Sequence, residues 1–164
     1  MKYLLILFLT FGFAKAEINY TQVETYKQER SITLTQDFID SLKGEALTEA
    51  LVLEKIKEYL SKIFGPEIID LVLELIGVKE FKDALFAIYV NADIMLKSEA
   101  FCPLAVSELS GELMYITAYV AVVYQTRIPP AASAAATVAR LSAKEVMTIS
   151  TMNELICKII VHPK

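Results

Sequence analysis

Apolar residues recur at steps of three and four along most of this chain, the period of one face of an α-helix. The clearest stretch runs from Glu45 to Phe64. There Leu53, Ile56, Leu60 and Ile63 share a face, and Glu54, Lys55, Lys57, Glu58 and Lys62 fill the rest. Glu58 and Lys62 also form an i,i+4 pair of the favourable sense. Gly65-Pro66 is a stop-and-restart pair, because glycine accepts a left-handed helix exit and proline suits a first helical turn. Pro66 to Ile76 is apolar nearly all round, with Glu67, Asp70 and Glu74 as its only polar stripe. This predicts a mostly buried helix ended by Gly77. A helix over Lys79 to Lys97 follows, with Phe81, Ala84, Leu85, Ile88 and Met95 inward. Ahead of these, Thr33-x-x-Gln36 has the form of a capping box. It opens a short helix with Leu34, Phe38, Ile39 and Leu42 on one face and Gly44 at its end.

The second half repeats the plan. Pro103 starts a helix carrying Val106, Leu109 and Leu113, and Tyr115 to Gln125 is apolar and aromatic. Pro129-Pro130 leads into an Ala-rich helix to Leu141. Ser142-x-x-Glu145 then forms a second capping box, opening a last helix with Val146, Ile149, Met152, Ile156 and Ile160 on one side. The β-branched content of that helix and of Tyr115 to Val123 would also suit strand. Three pairs of matches hint at duplication. Leu42-Lys43-Gly44-Glu45 returns as Leu109-Ser110-Gly111-Glu112, 67 residues on; Pro66 answers Pro130, 64 on; Lys79-Glu80 answers Lys144-Glu145, 65 on.

The first 16 residues break the helical period. Lys2 precedes a ten-residue apolar run, Leu4 to Phe13, and Ala14-Lys15-Ala16 is a small-x-small site. The run is too short to span a bilayer and the right size for the core of a secretory signal peptide, so residues 1–16 read as one and the protein as secreted and extracellular, with no transmembrane segment. Removing Lys2 and Lys15 lowers the basic count from 16 to 14 against 20 acidic residues, and takes the net charge from −4 to −6. Such a balance argues against nucleic acid or an anionic membrane as the main partner, since both need a basic face. Glu17 to Ile32 is a polar lead without sustained period. It contains Asn19-Tyr20-Thr21, a glycosylation acceptor at Asn19.

Two cysteines and one histidine leave almost nothing for a zinc site or a Ser-His-Asp or Cys-His centre. No Gly-rich phosphate loop, metal-ligand spacing or nucleophile elbow is present, so the sequence points to no catalysis, no cofactor and no metal. Glu67, Asp70 and Glu74 lie on one helical stripe that offers too few oxygens for calcium, and read as a solvated face. His162, beside Pro163 at the C-terminus, reads as part of a mobile tail. In an oxidising compartment Cys102 and Cys157 are expected to bond, closing a loop worth roughly 4 kcal/mol in the chain-entropy picture. Two free thiols, or bridges to another chain, stay open as alternatives.

Phe101-Cys102-Pro103, followed by Val106-Ser107-Glu108-Leu109, resembles the first helix of the secretoglobins, especially the lipophilin and androgen-binding-protein branch. Pro129-Pro130-x-Ala132-x-Ala134-Ala135 resembles the start of that family's third helix. The resemblance covers residues 99–164. It extends to the first half only through the internal repeat and the Phe64-Gly65-Pro66-Glu67 junction. Secretoglobins are small secreted four-helix proteins that pair around an apolar cavity, and several bind steroids or other lipids. The resemblance therefore implies an all-α fold of two tandem four-helix units, about eight helices in all, in residues 17–98 and 99–164. It leaves open association with a copy of itself or with another chain. Cys102 matches the family's first cysteine, whereas Cys157 lies about a turn earlier than the family's last, and the middle cysteine near Leu141 is missing. A bridge within the second half is what these departures imply.

Short amphipathic helices joined by tight turns favour a concave apolar pocket with few polar groups, the usual form of a small-molecule site. Phe38, Leu42, Leu53, Leu60, Leu109, Leu113, Tyr119 and Val123 are the candidate walls. Among Tyr89, Tyr115, Tyr119 and Tyr124, Tyr119 is the best candidate for a polar anchor, since it follows Thr117 and Ala118 in an otherwise apolar helix. The function expected is carriage of a small hydrophobic ligand, steroid- or lipid-like. The alternative is a secreted helical interaction or inhibitor module with a solid core.

Overall fold

A computed structural model describes the backbone of residues 35–126, 129–149 and 152–163, and the side chains of residues 35–125, 132–143 and 153–163. The apolar run at 4–13, the Asn19 acceptor and the Thr33 cap lie outside these residues. Every regular element among the described residues is helical: α1 (35–41), α2 (Glu49–Phe64), α3 (Ile68–Leu75), α4 (Lys79–Lys97), α5 (Cys102–Thr126), α6 (Pro129–Ile149) and α7 (Met152–Ile156). A π-turn at Cys157–Val161 closes the chain.

Local sequence explains the first elements. The Thr48 hydroxyl accepts a hydrogen bond from the Leu51 amide at 3.0 Å, so α2 begins at Glu49 rather than at Glu45. Gly65 ends α2 at φ 97, where a Cβ would stand 2.7 Å from Glu67 Oε1. Gly44 closes α1 at φ 90. The buried face of α2 is Val52, Ile56, Tyr59 and Leu60. It is turned from the expected one, so Leu53 is only half-buried and Val52 takes its place. Helix α4 spans the expected residues and buries Phe81, Ala84, Ile88, Ala92 and Met95, while Leu85 packs partly against the core.

The second half departs further from the sequence pattern. Pro103 does start a helix, but α5 continues without a break through Gly111 and through Tyr115 to Gln125, where the composition would also have suited strand. Likewise α6 runs on from the Ala-rich stretch through Ser142 and Glu145 to Ile149. Ser142 is therefore an exposed mid-helix residue and not a cap, because strong helix formers on both sides leave no reason to stop. Of the three repeat matches, Pro66 and Pro130 both lie at helix starts. Gly44 and Lys79 also sit at helix boundaries, but their counterparts Gly111 and Lys144 lie inside α5 and α6.

Helix α5 is the centre of the arrangement. It packs on α3, α4, α6, α7 and the π-turn. Val106, Leu109, Leu113, Ile116, Tyr119 and Val120 are wholly buried along it. By length and composition α5 could cross a membrane, yet 83% of its apolar window is buried within the protein. Its apolarity is thus used in packing on several sides at once. The C-terminal segment is tied down at several points. The Cys102 and Cys157 sulfurs are at disulfide distance, 2.08 Å. The Asn153 amide donates to the Pro103 carbonyl at 3.3 Å. Lys43 Nζ donates to the Ile160 carbonyl, which brings α1 against the π-turn.

Candidate functional site

Seven of the eight expected cavity residues lie in one continuous apolar core. Phe38 comes from α1 and Leu42 from the turn after it, Leu60 from α2, and Leu109, Leu113, Tyr119 and Val123 from α5. Leu53 stands outside this cluster. The spacing of the four α5 residues is the reason they share a face: 109, 113 and 119–123 recur at helical steps on the element that every neighbour covers.

Tyr119 is the most distinctive group in the core. It is wholly buried, and its ring meets Phe81 of α4 at 5.8 Å and 61°, and Tyr115 one turn back at 6.0 Å. Its hydroxyl has no hydrogen-bond partner. Burial pushes the phenol's pKa up, with the nearby charge of Glu80 and then Tyr115 adding to the shift. Leaving such a group unsatisfied costs about 1–3 kcal/mol. Of the other tyrosines, Tyr115 is buried, Tyr89 is half-buried against Phe86, and Tyr124 is exposed.

A polar pair flanks this group on the α6 side. Arg140 Nη2 donates to Glu112 Oε1 at 2.8 Å, and the guanidinium lies 3.9 Å over the Tyr115 ring. Arg140 Nε is buried without a partner. This pair was not among the candidate residues, although the sequence carries a signal for it. Glu112 is the only charged residue between Leu109 and Thr126, and Arg140 the only one between Pro129 and Ala143. An isolated charge in an apolar helix needs a partner, and each of these is the other's.

A second feature was equally unforeseen. Glu99, Pro103, Glu154, Cys157, Lys158 and His162 line an open cleft of about 550 Å³ beside the disulfide. His162 is not part of a loose tail. Its Nε2 lies 2.9 Å from the Met95 carbonyl, in the last turn of α4, and since a carbonyl only accepts, that nitrogen carries the proton. Asp70 and Glu74 on α3, and Glu67 just ahead of it, are exposed, as a solvated face requires. No group of three or more His, Cys, Asp or Glu residues that could hold a metal ion occurs among the described residues.

Compared with family models, with characterised proteins and with solved structures, the chain matches none.

Proposed function

We propose that this protein is a secreted, non-enzymatic carrier of a small apolar ligand bearing an oxygen function, steroid- or lipid-like. The observation that carries the reading is Tyr119, a wholly buried phenol with no partner at the centre of an apolar core. A ligand ketone, hydroxyl or carboxyl oxygen would accept a hydrogen bond from its O–H, while Phe81, Leu109, Leu113 and Val123 would exclude water around the rest. Uptake would be driven by apolar area leaving water, about 25 cal/mol per Å². Two secretoglobin-like units in tandem belong to the same proposal and draw on the resemblance over residues 99–164. Secretion draws on the apolar run Leu4 to Phe13 and its small-x-small site.

The test is titration of the protein with a fluorescent fatty-acid analogue and, separately, with a steroid ketone. Saturable one-to-one uptake is expected for at least one of them. Tyr119→Phe, which keeps the ring, should weaken that uptake roughly tenfold, the worth of one buried hydrogen bond. Absence of uptake of both, or equal affinity in the variant, would remove Tyr119 from the reading.

One observation favours the alternative of an interaction module. The outward side of α6 shows Ala134, Val138 and Leu141 in a row, the last two 65% and 61% exposed. Apolar residues spaced i, i+4, i+7 are how helices dock. If Val138→Glu abolishes a partner complex while ligand uptake is absent, this second reading stands in place of the first.

A further inference from the structure

The disulfide has two unlike ends. Cys102 is wholly buried and is the first residue of α5, a helix of 25 residues with no acidic residue in its first turn. Cys157 is 6% exposed and lines the cleft of about 550 Å³. Of the two ends, only Cys157 borders the cleft. The cleft is lined by the Lys158 ammonium and the His162 imidazole, with the carboxylates of Glu99 and Glu154 beside them. Disulfide exchange runs faster when the leaving sulfur is the better stabilised thiolate. The positive end of a helix macrodipole stabilises a thiolate, so the end of the bridge that is hidden is also the end better able to leave.

We propose that Cys157 is a thiol-exchange site for low-molecular-weight thiols. The incoming thiolate places its electron pair on Cys157 Sγ, forming a mixed disulfide. The Cys102–Cys157 bond breaks with its electron pair on Cys102 Sγ, which remains a thiolate or takes a proton from water. The exchange has no net oxidation or reduction: one disulfide and one thiolate give another of each. Its structural consequence is release of the covalent tie between the π-turn and the start of α5. The Asn153–Pro103, His162–Met95 and Lys43–Ile160 hydrogen bonds are then left to hold the segment. This site is separate from the Tyr119 core and stands whether or not that core takes a ligand.

The experiment exposes the folded, oxidised full-length chain to reduced glutathione, quenches with acid, labels free thiols with N-ethylmaleimide and maps both adducts by peptide mass spectrometry. Glutathione on Cys157 with maleimide on Cys102 is expected in at least roughly tenfold excess over the reverse. An even or reversed distribution overturns the proposal. So does a bridge that exchanges only as fast as the chain unfolds. Two exposed-site variants test the cleft itself. Lys158→Glu should slow exchange severalfold and Glu154→Gln should speed it, with melting temperatures unchanged. Rates indifferent to both substitutions would overturn the cleft as the route of attack.

Discussion

Residues 49–97 fold into three helices of 16, 8 and 19 residues, whereas residues 102–149 hold two, of 25 and 21. Both spans contain glycines at points where a helix might end. Gly65 sits at the surface side of a turn, next to exposed Pro66, so the freed backbone groups reach water or a cap. Gly111 is buried in α5, between helices on several sides. A break there would strand N–H and C=O groups away from water, which costs more than glycine's poor helix propensity. A breaker residue therefore ends a helix only where its surroundings can take over the lost hydrogen bonds.

The largest effect that sharpens this contrast belongs to the second span. Replacing both Cys102 and Cys157 by serine should cost roughly 4 kcal/mol in a urea titration, since the bridge closes a loop between residues 55 apart. Next comes the first span. Gly65→Ala should lose about 1–3 kcal/mol, from its φ of 97 and the 2.7 Å contact with Glu67 Oε1. A loss below about 0.5 kcal/mol would show that the α2–α3 joint is not set by this residue. The caps give a smaller and more direct comparison. Thr48→Ala should cost about 1 kcal/mol because the hydroxyl caps α2, whereas Ser142→Ala should be neutral or stabilise by about 0.5 kcal/mol because it lies within α6. An equal cost at both positions would mean that α6 does break at Ser142.

The smallest effect is alkaline. The Tyr119 phenol titrates above its ordinary value in the folded chain, chiefly because it is buried, so the unfolded chain releases this proton first. Its contribution to stability is full below about pH 10 and is lost as pH rises through the higher folded value. Tyr119→Phe should therefore flatten part of the fall in stability above about pH 10, read as denaturation midpoints against pH, and leave the slope below it unchanged.

Much of the first half was legible in the sequence. The period of α4 gave its span and four of its buried residues, and Gly65-Pro66 gave the α2–α3 joint. The face of α2 was less secure, because Leu51, Val52 and Leu53 are consecutive apolar residues and the period alone does not choose which of them faces the core. In the second half the helical period was legible, but the β-branched stretches left strand open and the helix boundaries were not fixed. A capping box is a local device, and Ser142-x-x-Glu145 lies in a stretch where continuing the helix satisfies the backbone equally well. The burial of Tyr119 was legible from its place after Thr117 and Ala118 in an apolar run. The cleft was not, since Glu99, Pro103, Glu154 and His162 come together only when the disulfide and the His162–Met95 bond fold the C-terminus back.

The central position of α5 has a bearing on how the chain is made. Synthesis runs from the N-terminus, so α2, α3 and α4 emerge from the ribosome ahead of α5. Phe81, Ala84, Ile88 and Met95 then present an apolar flank that lacks most of its cover until Cys102–Thr126 has emerged. The nascent protein therefore passes through an interval in which this flank lacks its main cover.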